Sequence, residues 1–171
     1  NSAVVKIMAV TGSVGKMGVK EALARLLSNQ GRVSYSLGSY NNHFGVPLSL
    51  ARLDKNANYG IFELGMNHSG ELTRLSKMVR PNVAIITTVD LAHAEFFSSI
   101  DEIAQAKAEI FKGLQQGGTA ILNRDNQQFE LLRDAAFAAG AGEVIGFGVH
   151  DESQFKLMDF ELNAEGSSVK A

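Results

Sequence analysis

The chain has 171 residues, of which 45% are hydrophobic and 20% are charged, and its formal net charge is −2. This length and composition are typical of one folded globular domain, and the near-neutral charge does not indicate a nucleic-acid or acidic-membrane surface. The sequence has no cysteine, which excludes disulfides and thiolate metal sites. Because it also shows no apolar run long enough to span a membrane and no signal peptide, we expect a cytoplasmic protein.

Apolar runs alternate with amphipathic stretches along most of the chain. The predicted strands are 4–10, 33–36, 59–64, 83–87, 119–122 and 144–147. The predicted helices are 16–29, 45–52, 70–79, 99–114 and 127–139. This alternation predicts an α/β fold of three layers, a mainly parallel sheet with helices on both faces. Residues 155–171 break the rhythm and predict a C-terminal antiparallel hairpin with its turn at 163–166.

The first predicted strand runs into a glycine-rich turn, 11–16, that a lysine closes before the first helix. Backbone N–H groups at a helix start, with a lysine ammonium, favour a polyphosphate, so a nucleoside triphosphate is the first ligand we expect. The usual Walker pattern is incomplete, because Val10 replaces its first glycine and Met17 replaces its magnesium-binding Ser or Thr. A tight structural turn without a ligand is the alternative. The predicted cofactor-binding residues are Thr11, Gly12, Ser13, Val14, Gly15, Lys16 and Met17.

Polar residues follow several predicted strands, at the sheet edge where ligands bind in parallel α/β proteins. Glu63 ends the third strand, and we favour a metal ligand over a helix-capping or salt-bridged carboxylate. For His93, in the loop after the fourth strand, a metal ligand and a solvated histidine remain equally open. Lys107, taken alone, is best interpreted as a solvated helix lysine paired with Glu109 or Asp101.

Two further polar turns precede predicted helices. Asn41 and Asn42 could contact a ligand or cap the helix that follows them, and the residues alone favour capping. His68 is predicted to belong to the capping loop of the helix at 70–79.

Seven segments, taken in order, resemble the central domain of the Mur ligase family. They are 11–16, 40–48, 63–71, 80–87, 93–97, 106–111 and 122–125. The resemblance covers nearly the whole chain and is strongest to members that add D-alanyl-D-alanine to a UDP-N-acetylmuramoyl tripeptide. It implies that residues 1–171 are an ATP-binding central domain without the family's N-terminal UDP-sugar domain and C-terminal domain. We expect such a piece alone not to ligate.

The resemblance also implies residue roles. Lys16 would bind the β- and γ-phosphates of ATP, while Glu63 and His93 would ligate catalytic Mg²⁺. Lys107 matches a lysine that is carbamylated in the family, where it supports a second Mg²⁺. The implied catalytic residues are therefore Lys16, Lys107 and His93. Asn41 and Asn42 match a loop near the acyl substrate.

The implied reaction has two steps and two partners besides ATP. The carboxylate of UDP-N-acetylmuramoyl-tripeptide attacks the γ-phosphate to give an acyl phosphate, and the amine of D-Ala-D-Ala then displaces phosphate. The protein is expected to be a monomer. The alternatives are another Mur ligase, a folylpolyglutamate synthetase-like ligase, or a non-catalytic nucleotide-binding paralogue, which Met17 favours.

Overall fold

The computed structural model describes residues 5–91, 96–162 and 166–171. Its main sheet has seven strands in the order β2-β3-β1-β4-β5-β6-β7, and every neighbouring pair is parallel. The strands are β1 Lys6–Thr11, β2 Val33–Tyr35, β3 Tyr59–Glu63, β4 Val83–Ile86, β5 Thr119–Asn123, β6 Glu143–Gly148 and β7 Phe155–Lys156. The helices are α1 Lys16–Leu27, α2 Gly45–Ala51, α3 Glu71–Val79, α4 Ile100–Ala108 and α5 Phe129–Ala138.

The strand order puts β1 between β3 and β4. In the register of these strands, Val10 lies beside Glu63, and Thr11 lies beside Ile86. The carboxyl ends of three central strands therefore meet where the chain leaves β1. This is the sheet edge at which parallel α/β folds bind ligands.

Alternate residues of β1 pack into two separate cores, as the period-2 geometry of a strand requires. Ile7 and Ala9 belong to the larger core, with buried side chains of α3, α4 and α5. Val10 belongs to the smaller core, which α1 covers with Ala24. The predicted three-layer arrangement with helices on both faces is confirmed.

The helix predicted at 99–114 is two elements in the structure. The Ser99 side chain accepts a hydrogen bond from the Glu102 N–H at 3.2 Å and so caps the start of α4. After Ala108 the chain narrows into a 3₁₀ helix, Glu109–Gly113. A Cβ at Gly113 would overlap the backbone of Ser76, so the glycine lets this turn pack directly on α3.

The C-terminal hairpin is confirmed, but its first arm begins later than predicted. Strands β8 Asp159–Leu162 and β9 Ser167–Lys170 pair antiparallel. Phe155–Lys156, predicted as part of that arm, instead pairs with β6 in the main sheet. Residues 163–165 of the predicted turn and Val4 of the predicted first strand lie outside the described residues. In the described ranges no helix is long and apolar enough to cross a membrane.

Candidate functional site

The loop between β1 and α1 has a backbone that only glycine adopts easily at two positions. Gly12 has φ 147° and Gly15 has φ 81°. A Cβ at Gly12 would overlap the hydroxyl of Thr87, which follows β4. That hydroxyl donates to the Val14 carbonyl at 2.5 Å, so it fixes the loop from the side of β4.

A second set of contacts ties the loop to the chain after Thr87. The Ser13 N–H donates to the Thr88 carbonyl at 2.9 Å. The Ser13 hydroxyl donates to the Asp90 carbonyl at 3.0 Å and accepts from the Asp90 N–H at 2.9 Å. The loop is therefore braced by its neighbour strand, as preorganised anion binding requires.

Lys16 is the first residue of α1, and its side chain folds back over the loop. Its ammonium donates to the Gly12 carbonyl at 2.7 Å and to the Ser13 carbonyl at 3.4 Å. Burial lowers the pKa of Lys16, and the Glu63 carboxylate opposes that shift, so the net pKa is below its ordinary value. The Lys16 ammonium and the Glu63 carboxylate are therefore close enough to interact electrostatically.

Glu63 ends β3 with its side chain only 3% exposed. Its Oε1 atom accepts a hydrogen bond from the Asn41 amide at 2.8 Å. Its Oε2 atom is buried and has no hydrogen-bond partner among the described residues, although the Lys20 ammonium lies 3.9 Å away. A buried carboxylate oxygen with a free lone pair suits a hard divalent cation, so Glu63 fits a Mg²⁺ ligand. The alternative interpretation of Glu63 as a salt-bridged carboxylate is partly supported too, because the Lys20 ammonium lies 3.9 Å from Oε2.

The two neighbouring asparagines do different things. The Asn42 side chain accepts from the Phe44 and Gly45 N–H groups at 3.1 and 2.9 Å, so it caps α2 as the residues predicted. Asn41 turns the other way and contacts Glu63. Only Asn41 reaches the site through a contact with its proposed metal ligand.

His68 lies in the loop before α3, as predicted, but the N-cap residue of that helix is Gly70, which makes no side-chain capping hydrogen bond. Glu71, the first residue of α3, accepts hydrogen bonds from the N–H groups of Asn67 at 2.7 Å and His68 at 3.2 Å. The His68 ring also lies 3.5 Å from the same carboxylate. These contacts, with its own ionic interaction with His68, lower the pKa of Glu71 despite the opposing effect of desolvation.

Lys107 is not the solvated helix lysine that its local sequence predicted. The residue is only 2% exposed, and its side chain makes no ion pair with a carboxylate of the described residues. Asp101 accepts from Gln128 instead, and Glu109 accepts from the N–H groups of Gly70 and Thr73. Burial, and repulsion from Lys16, lower the pKa of Lys107 to about 8. The solvated interpretation is therefore wrong, and the repulsion places Lys107 near Lys16.

For two further predicted site residues, Met17 and His93, no contact among the described residues supports a role as metal ligand. Met17 is 44% exposed and offers only a thioether, a poor ligand for Mg²⁺. His93 lies in the segment 92–95, outside the described residues, so its role as a ligand stays a prediction. Within the ranges that the structure describes, no cluster of three or more histidine or acidic side chains could hold a metal.

Three further residues shape the site without having been predicted. Thr87 braces the loop, and Asn126 reaches from the end of β5 to the Val89 carbonyl at 2.7 Å. Lys20 lies fully buried beside Glu63. Its spacing of four residues from Lys16 was the available signal, because residues i and i+4 share one face of a helix.

The fold and site define a class: a parallel α/β domain with a braced glycine-rich loop between its central strand and first helix. The sequence matches the Mur ligase middle domain over residues 10–171. The chain therefore belongs to the Mur ligase middle-domain family.

The relatives it matches are longer proteins. It is 39% identical over 160 residues to the UDP-N-acetylmuramoyl-tripeptide--D-alanyl-D-alanine ligase of Rickettsia prowazekii, covering 94% of this chain and 36% of that protein. It is 43% identical to the Escherichia coli ligase of the same name over 124 residues, covering 72% of this chain and 27% of that protein. The chain thus spans between about a quarter and about a third of the length of these curated relatives.

Solved structures agree with this assignment. A crystal structure of MurF from Acinetobacter baumannii superimposes with a TM-score of 0.86 at 32% identity, covering 98% of this chain and 38% of that one. MurF ligase from Thermotoga maritima, in complex with ADP, gives a TM-score of 0.84 at 28% identity, covering 96% of this chain and 37% of that one. Folylpolyglutamate synthetase of L. casei, at 16% identity and a TM-score of 0.70, shares the fold.

Proposed function

We propose that this chain is the ATP-binding part of a ligase that joins D-alanyl-D-alanine to a UDP-N-acetylmuramoyl tripeptide. One observation carries the proposal: the Lys16 ammonium, folded over the braced glycine loop, interacts electrostatically with both Glu63 and Lys107. The names of the relatives from R. prowazekii and E. coli, and the ADP complex of the T. maritima protein, support it.

The loop residues supply the phosphate site in this proposal. When ATP binds, the Lys16 ammonium gives up its hydrogen bond to the Gly12 carbonyl and binds oxygens of the β- and γ-phosphates. The N–H groups at the start of α1 donate hydrogen bonds to other phosphate oxygens. Negative charge develops on the γ-phosphate oxygens during transfer. Because these donors are already oriented around the γ-phosphate, they stabilise that charge. Thr11–Met17 line this site, with Met17 contributing backbone only.

Mg²⁺, when bound, would offset the repulsion between the peptide carboxylate and the polyphosphate. The residues that would hold it are Glu63 through Oε2, His93, and Lys107 once carbamylated. Asn41 fixes the other oxygen of Glu63 and so limits the directions in which the carboxylate can bind.

The environment of Lys107 favours its carbamylation. A pKa of about 8 leaves part of the amine neutral near pH 7.5, and only the neutral amine attacks carbon dioxide. A new N–C bond forms and a proton leaves, which converts a buried cation into a carbamate anion. The repulsion between Lys16 and Lys107 then becomes an attraction, so carbamylation removes an unfavourable interaction between the two cations.

The proposed reaction follows from these placements. The terminal carboxylate of the tripeptide attacks the γ-phosphorus and ADP leaves; the amine of D-Ala-D-Ala then attacks the acyl carbon and phosphate leaves. The chain described here carries the phosphate side of this site. The acceptor's binding surface, the monomeric state and the cytoplasmic setting stay predictions.

The test is ligation by the full-length protein with ATP, UDP-N-acetylmuramoyl-tripeptide and D-Ala-D-Ala. We expect equal amounts of ADP and of the pentapeptide product, detected by mass, and loss of both with Lys16→Ala. Glutamate or a diamino acid serving as the preferred acceptor would establish a different ligase of this superfamily. ATP binding without product from any acceptor would favour the non-catalytic paralogue.

A further inference from the structure

Lys20 has the most buried charged side chain of the described residues, with 0% exposure. It lies on α1 one helical turn after Lys16, so both lysines project from the same face of the helix. Burying an ammonium group is costly unless partners compensate for the lost water. The partners of Lys20 therefore indicate what the side chain is held there to do.

Those partners join α1 to the loop that surrounds Glu63. The Lys20 ammonium donates to the Gly38 carbonyl at 2.6 Å and lies 3.9 Å from Glu63 Oε2. The same loop carries Ser36, whose hydroxyl accepts from the Glu63 N–H at 3.2 Å, and Asn41, which binds Oε1. Glu63 is thus held by its backbone, by one oxygen and by a fixed positive charge near the other.

The distance between the Lys20 ammonium and Glu63 Oε2 determines whether that oxygen stays available to a metal ion. At 3.9 Å the ammonium attracts the carboxylate but forms no hydrogen bond with it, and Oε2 keeps its lone pairs. A closer ion pair would occupy the oxygen that the proposed function assigns to Mg²⁺.

We propose that Lys20 is a positioning residue, which fixes the Glu63 carboxylate in the direction that a bound Mg²⁺ needs while leaving Oε2 available. This inference rests on the proposed function. A buried lysine that served only packing would affect stability, and its effect on Mg²⁺ would not depend on the side chain at position 63.

A double-mutant cycle in the full-length protein separates the two roles. The variants are Lys20→Met, Glu63→Gln and the pair together, and the measurement is the Mg²⁺ concentration that half-saturates Mg²⁺-dependent ADP binding, followed by calorimetry. We expect each single change to raise this concentration about tenfold, as loss of a group that orients a ligand does. We expect the pair to raise it by the same tenfold, because Lys20 acts through Glu63.

Two other variants complete the design. Lys20→Gln keeps a donor for the Gly38 carbonyl without the charge, and we expect it to match Lys20→Met; it also serves if the methionine variant fails to fold. Arg25→Met removes an exposed positive charge from the same helix, and we expect no change in the Mg²⁺ requirement.

The positioning role is overturned if the two factors multiply to about a hundredfold, or if Lys20→Met leaves Mg²⁺ binding unchanged or tightens it. The proposed function fails separately: wild-type protein would then bind no ADP or form no product. A wild-type enzyme that ligates normally while the factors multiply rejects only the role of Lys20.

Discussion

The hydroxyl of Thr87 occupies the space in which a side chain on Gly12 would begin. It uses that position to donate to the Val14 carbonyl at 2.5 Å, so the glycine and the threonine together set the shape of the loop. The end of β4, far along the sequence, thereby determines the shape of the loop that we propose binds phosphate.

Gly12→Ala should abolish nucleotide binding and destabilise the fold. The new Cβ would overlap Thr87 Oγ1, and φ 147° is strained for alanine, so we expect a loss of about 2–4 kcal/mol in the free energy of unfolding. ADP binding and urea unfolding provide the measurements. Gly18→Ala is the matched control, because it lies within α1 with open space around its Cβ position. We expect that control to stabilise by about 0.5–1 kcal/mol; similar behaviour of the two variants would contradict the role of Gly12.

Lys107→Met should stabilise the domain near pH 7 while abolishing the ligation that we propose for the full-length protein. The pKa of Lys107 is about 8 in the fold against 10.5 for the free side chain, so the unfolded chain binds more protons between these values. The destabilisation is fully present below pH 8 and disappears as the pH rises toward 10.5. We expect a gain of up to about 3 kcal/mol at pH 7 that vanishes near pH 10.5.

Urea unfolding in bicarbonate-free buffer at several pH values checks this prediction, and exposed Lys112→Met serves as the control. A gain that is constant with pH would show that the buried charge is not its cause. With bicarbonate present, carbamylation should reduce the advantage of the methionine variant, because the wild-type side chain is then no longer a cation.

Local sequence was sufficient for the elements whose signals are short-range. The strand, glycine turn and helix at 6–27 were predicted because each part is encoded by neighbouring residues. The strand-end position of Glu63 followed from the same pattern, and the register confirms that it lies beside Val10.

What the sequence could not predict depends on contacts between distant segments. Lys20 and Lys107 look like ordinary helix lysines, and only the packing of α1 and α4 buries them. The different roles of Asn41 and Asn42 depend on where Glu63 lies. β7 has two residues, too few for a period-2 pattern, so only its pairing with Phe147 and Gly148 reveals it.

Glu109→Ala should destabilise α3 without affecting nucleotide affinity directly. The Glu109 carboxylate accepts from the Gly70 N–H at 2.6 Å and from the Thr73 N–H and hydroxyl at 3.0 and 3.1 Å, so it caps a helix from another element. We expect alanine to cost about 2–3 kcal/mol and Glu109→Gln, which keeps an acceptor, about 1 kcal/mol. Thermal unfolding measures both, with exposed Glu21→Ala as the control. Equal losses for the alanine and glutamine variants would argue against the cap.

Met17→Thr tests whether the departure from the Walker pattern weakens Mg²⁺ binding. Position 17 is the second residue of α1, exposed beside the loop, and a hydroxyl there supplies the oxygen ligand that methionine lacks. We expect the Mg²⁺ concentration that half-saturates ADP binding to fall about three- to tenfold, since one more oxygen joins the site. Met17→Leu, which adds no oxygen, should leave that concentration unchanged. If threonine and leucine behave alike, Mg²⁺ is held without position 17, and Glu63 with the other proposed ligands suffices.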